Sequence, residues 1–519
     1  MTSPSDQGIG SWPARRARMN PDATALVQGS RRVSYRQLDQ RSAALACALA
    51  EDGVSAGDRV GYLGFNDVAT FETLLAAARL GAIFVPINTR LAPPEVAYLL
   101  GDCAPAALVV GPELEPIFAQ AHDGQVTSVI HLDTSHGRSY ELAVTAHEGA
   151  APAVPPAGVR LDDPALILYT SGTTGRPKGA VLTHGNLTWN TINQLAHFPV
   201  SDSDVSLCAA PLFHVLGLGQ ITLPVLLAGG TVVVMPRFDP GVFLAAIAAE
   251  RATMFPLAPT MMQMLCEHPD WDRTDLSSVR CVPYGGSPVI ERVAQAWLDR
   301  GIQVLQGYGM TEASPGVFMA LRHGSMDRPV SAGVPHFFTD TALLTEDGTI
   351  IEGPGRGELL VRGPNVFSRY WNRPAETAEA FVDGWFRSGD IVRVDPDGWA
   401  YVVDRVKDII ISGGENIYPA EVEAAICELD GIAAAAVVGI PDDRWGEAGL
   451  AFIQPRDGAA LAEEAIRGHL EARLARYKIP QKFHFVDSLP RNAAGKLLRR
   501  PLREQAQHLI STPPGKQAR

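Results

Sequence analysis

One segment constrains this chain more than any other. The apolar run 165–169 predicts a buried strand, and it leads directly into Tyr169-Thr-Ser-Gly-Thr-Thr-Gly-Arg-Pro-Lys-Gly-Ala-Val-Leu-Thr-His184. A loop of glycines and hydroxyls can turn tightly, direct backbone N–H groups inward and surround an anion, while one ammonium group completes the site. Pro177 stands where a Walker A loop has glycine before its lysine, so this segment is a different motif. Its length and its place after a strand favour a phosphate-binding loop over an ordinary surface turn.

The composition sets the broad class of the protein. At 519 residues the chain is too long for one ordinary domain, so two or more cores are expected. The net charge of −13 argues against a nucleic-acid partner, although local cationic groups can still bind phosphates. The six cysteines lack disulfide or metal-ligand spacing and lie in apolar contexts, which predicts reduced thiols in or near a core. The first residues include no apolar signal segment, and a cytoplasmic location is therefore expected.

Short apolar runs alternate with helical patterns along most of the chain, which is typical of β–α–β folds. Between about 340 and 403, short segments separated by Asp-Gly turns predict antiparallel strands. The expected fold class is therefore α/β, with layered α/β sheets and a small antiparallel barrel, followed by a small α+β segment. The predicted strands are 59–63, 82–86, 107–110, 128–132, 165–169, 279–283, 434–440 and 482–486, and the predicted helices are 68–80, 243–251, 419–429 and 463–476.

The uncharged stretch from Val215 to Met235 is long enough to span a bilayer. Gly229 and Gly230 interrupt it, however, and the β-branched residues that follow indicate a strand. The pattern therefore predicts a buried helix, a turn and a buried strand, and no transmembrane segment is expected.

The phosphate-loop segment resembles that of the adenylate-forming superfamily, which includes acyl- and aryl-CoA synthetases, firefly luciferase and peptide-synthetase adenylation domains. The resemblance runs from about residue 20 to about residue 500 and implies a large N-terminal domain (1–403), a hinge (404–408) containing Lys407, and a small mobile C-terminal domain (409–519). The other segments that carry it are Tyr284-Gly-Gly-Ser-Pro288, Gly307-Tyr-Gly-Met-Thr-Glu312, Gly384-Trp-Phe-Arg-Ser-Gly-Asp390, Asp404-Arg-Val-Lys-Asp408, Ser412-Gly-Gly-Glu-Asn-Ile-Tyr-Pro419 and Pro490-Arg-Asn-Ala-Ala-Gly-Lys496.

The resemblance implies a two-step reaction that uses ATP, Mg²⁺ and CoA. A carboxylate displaces pyrophosphate from the α-phosphate of ATP, and the thiol of CoA then displaces AMP to form a thioester. The carboxylate is ionised at pH 7, so the first step needs alignment and charge neutralisation rather than a general base. The resemblance assigns this electrostatic role to Lys496. The local sequence alone fits a solvated surface lysine equally well.

The same resemblance distributes the nucleotide contacts. Glu312 is expected to bind Mg²⁺, and Thr311 to contact phosphate. Tyr308 is expected to lie on the adenine ring, Asp390 to accept both ribose hydroxyls, and Arg405 to add a ribose or phosphate contact. An isolated aspartate after glycine more often closes a turn, and the extended match outweighs that alternative. The remaining residues expected around ATP are Thr170, Ser171, Gly172, Thr173, Thr174, Gly175, Lys178, Gly285, Gly286, Ser287, Gly307 and Gly309.

The acyl pocket is expected to begin at His214, which by resemblance lies beside the substrate carboxylate. The alternative is a histidine that caps the following helix. A lining of small and apolar residues suits an aromatic or aliphatic acid without a second charge. CoA is expected at Ser412, Gly413 and Gly414, with Lys478 as either a CoA contact or an ordinary surface lysine. The rest of the expected acyl lining is Leu216, Gly217, Val282, Tyr284, Gly307, Met310, Pro315 and Val317.

Two further segments, 8–19 and 337–340, resemble bacterial feruloyl-CoA synthetases, whereas Arg476-Tyr-Lys-Ile-Pro480 is shared with bacterial fatty acyl-CoA synthetases. The expected substrate is a hydroxycinnamate such as ferulate or 4-coumarate. A medium- or long-chain fatty acid is the first alternative, and an adenylation enzyme that loads a carrier protein is the second. A homodimer is compatible with the sequence. A pocket for a hydroxycinnamate should offer its 4-hydroxyl a polar partner, because burying an unpaired hydroxyl is costly.

Overall fold

The computed structural model describes residues 6–150, 158–171, 176–285, 291–321, 328, 331–345, 347–405, 410–456, 459, 461–490 and 499–511. They form two compact units. The larger unit comprises Met1–Thr89, Val96–Thr170 and Lys178–Asp404, and the smaller comprises Arg90–Glu95, Ser171–Pro177 and Arg405–Arg519. The division after Asp404 falls beside the predicted hinge. The hinge function stays a prediction, and Lys407 lies outside the described residues.

The helices follow the chain in the order predicted for an α/β protein. They are α1 (Trp12–Met19), α2 (Tyr35–Glu51), α3 (Val68–Leu80), α4 (Pro93–Cys103), α5 (Glu115–Ala121), α6 (Tyr140–Thr145), α7 (His184–His197), α8 (Thr222–Ala228), α9 (Pro240–Glu250), α10 (Pro259–Cys266), α11 (Glu291–Asp299), α12 (Pro374–Glu379), α13 (Pro419–Cys427), α14 (Glu463–Glu471) and α15 (Arg499–Ser511). A π-helical turn, Leu216–Gln220, precedes α8.

The strands alternate with these helices through most of the larger unit. They are β1 (Thr24–Gln28), β2 (Arg31–Ser34), β3 (Arg59–Leu63), β4 (Ile83–Pro86), β5 (Ala107–Val110), β6 (Ser128–His131), β7 (Arg138–Ser139), β8 (Pro164–Ser171), β9 (Pro177–Thr183), β10 (Val205–Cys208), β11 (Thr231–Val234), β12 (Cys281–Tyr284), β13 (Gln303–Gly309), β14 (Gly316–Met319), β15 (Val334–Pro335), β16 (Asp340–Leu344), β17 (Ile350–Ile351), β18 (Gly355–Arg362), β19 (Arg369–Tyr370), β20 (Phe381–Val382), β21 (Trp385–Val394), β22 (Ala400–Arg405), β23 (Ile410–Ser412), β24 (Glu415–Ile417), β25 (Ile432–Asp442), β26 (Gly446–Pro455) and β27 (Lys482–Phe485).

Three kinds of sheet build the larger unit. An eight-stranded sheet has the order β19-β9-β8-β4-β3-β5-β6-β7, and β3, β4, β5, β6, β7 and β8 join through parallel pairs. Two four-stranded sheets, β10-β11-β1-β2 and β12-β13-β14-β15, combine parallel and antiparallel pairs. Strands β16, β17, β18, β20 and β21 form an antiparallel sheet, which β22 joins through β21. The predicted fold class of layered α/β sheets with a separate antiparallel element is thus confirmed.

The burial of the central strands follows from helices packing on both faces of a parallel sheet. Every residue of β4 and β5 is buried, and so is every residue of α3. Such strands read as continuous apolar runs rather than as alternating patterns, which is why the sequence located them well. The largest apolar core of the chain extends from these elements to β9, α7 and β14.

The long uncharged stretch folds as its glycines predict. The π-helical turn and α8 end at Gly229, whose φ of +98° is accessible to glycine at little cost, and β11 follows. No helix among the described residues is long and apolar enough to cross a membrane.

Helix α7 begins immediately after β9 because a reciprocal cap ends the strand. The Thr183 hydroxyl accepts a hydrogen bond from the Asn186 backbone N–H at 3.0 Å, and the Asn186 side chain accepts one from the Thr183 N–H at 2.8 Å. The helix then turns an unusually polar face inward, with His184, Asn186, Asn190, Thr191, Asn193 and Gln194 all buried. This face packs against β14 and the π-helical turn.

In the smaller unit, β24-β23-β26-β25 form a sheet with β27 beside β26, and α13 and α15 pack on β25. The predicted helix 463–476 is shorter than expected, because α14 ends at Glu471 and a 3₁₀ turn occupies Arg476–Lys478.

The prediction for the cysteines needs one correction. All six thiols are free, but Cys427 is exposed rather than near a core.

Candidate active site

The phosphate-loop segment lies between β8 and β9, and the residues that flank it, Thr170 and Lys178, belong to the larger unit. Residues 172–175 lie outside the described residues, so the predicted contacts of Gly172, Thr173, Thr174 and Gly175 stay predictions, and Ser171 is described only as part of β8. At the mouth of the loop the Thr170 hydroxyl donates to the Lys178 carbonyl oxygen at 3.4 Å. The Lys178 ammonium lies 5.5 Å from the centre of the Tyr370 ring. The Lys178 ammonium group is therefore located at the end of the loop, beside an aromatic ring.

Glu312 lies on the 3₁₀ turn Thr311–Ala313, directly after β13 and Met310. The Tyr370 hydroxyl donates to its carboxylate at 2.8 Å, and its backbone carbonyl accepts from the Phe367 N–H at 2.7 Å. Desolvation raises the pKa of Glu312, while the Tyr370 hydrogen bond and the Lys178 charge act in the opposite direction. A desolvated carboxylate with a raised pKa is the kind of group that gains from a cation.

The sequence motifs do not include Tyr370. It reaches Glu312 because β19 pairs with β9, where Tyr370 is opposite Ala180. Its position in sequence, 58 residues after Glu312, carries no local signal. A tyrosine whose hydroxyl binds the Glu312 carboxylate and whose ring lies beside Lys178 is thus visible only once the sheet is formed.

Tyr308 and Asp390, the residues expected at the adenine and the ribose, contact each other. Tyr308 comes from β13, and its hydroxyl donates to Asp390 Oδ2 on β21 at 2.6 Å. The Tyr308 ring lies 5.7 Å from that of Phe318 on β14. The paired hydroxyl and the neighbouring ring fix the orientation of Tyr308. A flat ring held in this way can stack on a nucleobase.

Two glycines near this tyrosine stand where a side chain has no room. A Cβ at Gly285 would lie 3.0 Å from the Gly307 carbonyl oxygen, and one at Gly309 would overlap the Pro315 carbonyl oxygen. Glycine at these two positions therefore lets neighbouring backbone segments of the protein pack closely against each other. Gly286 and Ser287 lie outside the described residues, and their roles stay predictions.

His214 precedes the π-helical turn, and its ring lies 4.7 Å from that of Phe213. Its backbone carbonyl accepts a hydrogen bond from the Gly217 N–H at 3.1 Å. A Cβ at Gly217 would approach backbone atoms of Pro211 and Ala210 far too closely, so glycine is required there.

The other expected acyl-lining residues surround the junction of β12, β13, β14 and the π-helical turn. A Cβ at Gly307 would lie 2.9 Å from the Gln220 amide nitrogen and 3.0 Å from Met319, so these two side chains cover that glycine. Asn190 of α7 links the π-helical turn to β14. Its Nδ2 donates to the Gly219 carbonyl at 2.8 Å, and its Oδ1 accepts from the Gly316 N–H at 3.1 Å. Val282, Tyr284 and Val317 are buried, and Leu216, Met310 and Pro315 are partly buried.

In the smaller unit, Ser412 ends β23, and Gly413 and Gly414 form the turn to β24 with φ values of +58° and +81°. The Gly413 N–H donates to the Trp445 carbonyl at 2.8 Å, and a Cβ at Gly413 would lie 2.7 Å from the Trp445 ring. Both glycines are therefore needed for this turn. The predicted contact with the pantetheine arm of CoA stays a prediction.

Lys478 differs from its expected place as a CoA contact or an ordinary surface lysine. Its side chain is 2% exposed, and its ammonium contacts Glu421 at 2.8 Å and Glu95 at 2.7 Å, both in the smaller unit. The two carboxylates raise the pKa of Lys478 against the opposing effect of desolvation. An ammonium enclosed in this way holds the unit together and is not presented to a phosphate. The sequence could not predict this ion pair, because Glu95 and Lys478 are 383 residues apart.

Three of the residues expected in the site have side chains that the structure does not describe. Lys496 and Lys407 lie outside the described residues, and Arg405 is described only as the last residue of β22. Their roles stay predictions. Within the larger unit, the structure brings together Thr170 and Lys178, Glu312 with Lys178, and Tyr308 with Asp390.

Known proteins resemble this chain along most of its length. Residues 13–371 match the family model "AMP-binding enzyme", and residues 421–496 match its C-terminal domain. The chain is 46% identical over 500 residues to a feruloyl-CoA synthase from Amycolatopsis sp., covering 96% of this chain and 99% of that one. It is 41% identical over 501 residues to an indoleacetate–CoA ligase from Aromatoleum aromaticum, covering 96% and 98%. A solved fatty acyl-CoA synthetase from Mycobacterium tuberculosis superposes with a TM-score of 0.74 at 35% identity, covering 97% and 99%. The chain therefore belongs to the AMP-binding enzyme family and is an AMP-forming acid–CoA ligase, which uses ATP and CoA.

Proposed function

We propose that this ligase activates hydroxycinnamates, with ferulate and 4-coumarate as its substrates. The observation that carries the proposal is the 46% identity with a feruloyl-CoA synthase along 96% of the chain. The expected lining supports it, because most of its residues are small or apolar and no Lys or Arg occurs among those that the structure describes. Such a lining suits a flat aromatic acid with one charge.

In the first step, an oxygen of the substrate carboxylate attacks the α-phosphorus of ATP, and the bond to pyrophosphate breaks. The site residues of the larger unit align this reaction rather than exchange protons. Tyr308 stacks on adenine, Asp390 accepts from the ribose hydroxyls, and Lys178 stands beside the phosphates. Lys496 neutralises charge that develops on the phosphate oxygens, which is the largest single contribution expected in such a site.

The residues around Glu312 fit a magnesium ion. Mg²⁺ prefers one or two carboxylates together with phosphate oxygens and water, and the Glu312 carboxylate is desolvated with a raised pKa. We assign Glu312 as the protein ligand, oriented by the Tyr370 hydroxyl. When bound, the ion neutralises negative charge on the ATP phosphates.

In the second step, the sulfur of CoA attacks the acyl carbonyl carbon, the carbon–sulfur bond forms, and the bond to AMP breaks. Ser412, Gly413 and Gly414 present a turn without bulky side chains to the pantetheine arm. His214 stands beside the acyl carbonyl at the entrance to the pocket. Lys478 has no part in this step, because its ammonium is enclosed by two carboxylates.

The test is acid-dependent AMP release by the purified full chain with ATP, Mg²⁺ and CoA. Ferulate and 4-coumarate should give the highest kcat/KM in a panel with cinnamate, benzoate, indole-3-acetate, octanoate and palmitate. If palmitate or octanoate gives the highest value, the chain is a fatty acyl-CoA ligase and the hydroxycinnamate assignment is wrong. Adenylate formation without a CoA thioester would contradict CoA as acceptor and favour a carrier protein.

Octanoate and palmitate are included in the panel because a solved fatty acyl-CoA synthetase is 35% identical to this chain and covers 97% of it. A homodimer and a cytoplasmic location stay predictions from the sequence. Size-exclusion chromatography with light scattering tests the first.

A further inference from the structure

Buried polar side chains lie unpaired where α7 meets β14 and β15. Gln194 and His336 are each 1% exposed. Neither amide atom of Gln194 has a hydrogen-bond partner among the described residues, and one nitrogen of the His336 ring interacts with the Asn193 backbone while the other is unpaired among those residues. His197 Nε2 is unpaired as well, and its ring centre lies 4.8 Å from that of His336. Native proteins leave few buried polar atoms unpaired, so such a concentration calls for a partner that is not protein.

These polar atoms adjoin the wall expected to line the acyl pocket. A Cβ at Gly316 would lie 2.7 Å from His336 Nε2 and 3.0 Å from the Gln194 amide nitrogen. Gly316 stands between Pro315 and Val317, two of the expected lining residues, and its N–H is held by Asn190 one helical turn before Gln194. The absence of a side chain at Gly316 brings the two polar groups against the backbone of that wall.

The same pattern recurs at the neighbouring strand. Gln220 is 3% exposed and its Oε1 is unpaired among the described residues, while its amide nitrogen lies against Gly307. Polar atoms thus flank both strands of the expected pocket.

The chemistry of the cluster suits a neutral hydroxyl rather than a second carboxylate. Burial lowers the pKa of His336 to about 3, so its ring is uncharged at pH 7 and offers one donor and one acceptor. The Gln194 amide offers the same pair. A phenol hydroxyl donates one hydrogen bond and accepts others, and an adjacent methoxy oxygen accepts one. Two neutral donor–acceptor groups therefore match a 4-hydroxy-3-methoxy ring.

We propose that Gln194 and His336 are the specificity residues that bind the ring oxygens of the hydroxycinnamate, with His197 supporting His336. This assignment rests on the proposed function and identifies the polar partner that the substrate hydroxyl requires. An apolar isostere of the hydroxyl leaves these groups unpaired in the complex, which is the situation in which enzymes discriminate most strongly.

The first test uses the wild-type enzyme and three acids that differ at one ring position: 4-coumarate, cinnamate and 4-methylcinnamate. The methyl group copies the size of the hydroxyl without its hydrogen bonds. The kcat/KM for 4-coumarate should exceed both others by about tenfold to a hundredfold, because a buried polar group left unpaired is costly. Equal values for 4-coumarate and 4-methylcinnamate would overturn the assignment.

The second test locates the effect in the cluster. Gln194→Met keeps the length of the side chain, and His336→Gln keeps a neutral polar group. Each should lower the ratio of kcat/KM for 4-coumarate over cinnamate by about fivefold or more, with the value for cinnamate changed less than the value for 4-coumarate. Gln295→Met, on the exposed face of α11, is the matched control and should leave the ratio unchanged.

The outcomes separate the two proposals. If no cinnamate is a substrate, the proposed function fails, and this assignment fails with it. If 4-coumarate is preferred over 4-methylcinnamate but both cluster variants keep the wild-type ratio, the proposed function stands, and Gln194 and His336 hold buried water instead of the substrate. Because cinnamate activity is measured for every variant, a variant that folds poorly lowers both rates and is recognised; the wild-type comparison then decides the question.

Discussion

The nucleotide side and the acyl side of the larger unit treat buried polar groups in opposite ways. On the nucleotide side, Tyr308 holds Asp390 at 2.6 Å and Tyr370 holds Glu312 at 2.8 Å. On the acyl side, Gln194 and His336 keep polar atoms without partners among the described residues. In the proposed assignment, groups that serve every substrate are held in place by the protein, whereas groups that select a substrate are left for the substrate to pair.

This contrast has a measurable consequence. A change on the nucleotide side should alter the rate with all acids by the same factor, because every acid passes through the same adenylate chemistry. A change on the acyl side should alter the ratio between acids. The following variants separate these two signatures.

Lys496→Ala should have the largest effect. Loss of the cation that neutralises phosphate charge should lower adenylate formation about a thousandfold, by the same factor for cinnamate and 4-coumarate. Thioester formation from supplied acyl-adenylate should be largely spared. The measurement is pyrophosphate release beside CoA consumption from synthetic adenylate. Adenylate formation at wild-type rate would show that the assigned role of Lys496 is wrong.

Glu312→Gln should rank next. A neutral amide keeps the shape of the carboxylate but loses its charge, so kcat should fall about a hundredfold, again equally for all acids, and the Mg²⁺ concentration for half-maximal rate should rise. Tyr370→Phe removes one hydrogen bond to Glu312 and is the control, with an effect below about tenfold. Both are measured by pyrophosphate release over a Mg²⁺ titration. An unchanged Mg²⁺ requirement in Glu312→Gln would contradict the metal assignment.

The same contrast explains what sequence could and could not predict. Strands β3, β5 and β8 were located because continuous apolar runs identify buried parallel strands. Tyr308 and Asp390 could be named because their motifs are local. The pairing of Tyr370 with Glu312 and of Lys478 with Glu95 could not, since each joins residues far apart in sequence.

The residues of the acyl side were the hardest to predict from the sequence, for a related reason. Gln194 belongs to a helix whose buried face is polar, so no amphipathic pattern distinguished its buried residues from exposed ones. His336 lies at the end of a two-residue strand, β15, with no motif around it. Only the fold shows that both contact Gly316.

Gly316→Ala should have a smaller effect that differs between acids. The new methyl would lie 2.7 Å from His336 Nε2, so the polar groups must shift away from the ring. The kcat/KM for ferulate should fall about tenfold, the scale of one methylene in a specificity pocket, with a smaller loss for cinnamate. Gly101→Ala, whose Cβ would have its nearest atom at 3.8 Å, is the matched control. Equal losses for both acids would place the effect on stability rather than on recognition.

The smallest effect concerns the stability of the cluster itself. Because the pKa of His336 is lowered to about 3 from an unfolded value of 6.5, the unfolded chain binds one more proton than the folded chain between these pH values. Stability should therefore rise with pH across this window, with His336 contributing about 1.4 kcal/mol per pH unit. His184, whose pKa is lowered to about 4 by burial, contributes in the same direction above that value. His336→Gln should remove one proton's share of the slope between pH 4.5 and 6, measured from urea unfolding at several pH values, while the two chains should show the same pH dependence above pH 7.5, where histidine is neutral in both states.

A slope that His336→Gln leaves unchanged would mean that His336 binds its proton equally in the folded and the unfolded chain, so that burial does not lower its pKa. The His336 ring would then accept a positive charge as readily as an exposed histidine, and the distinction drawn between a neutral acyl side and a charged nucleotide side would be wrong.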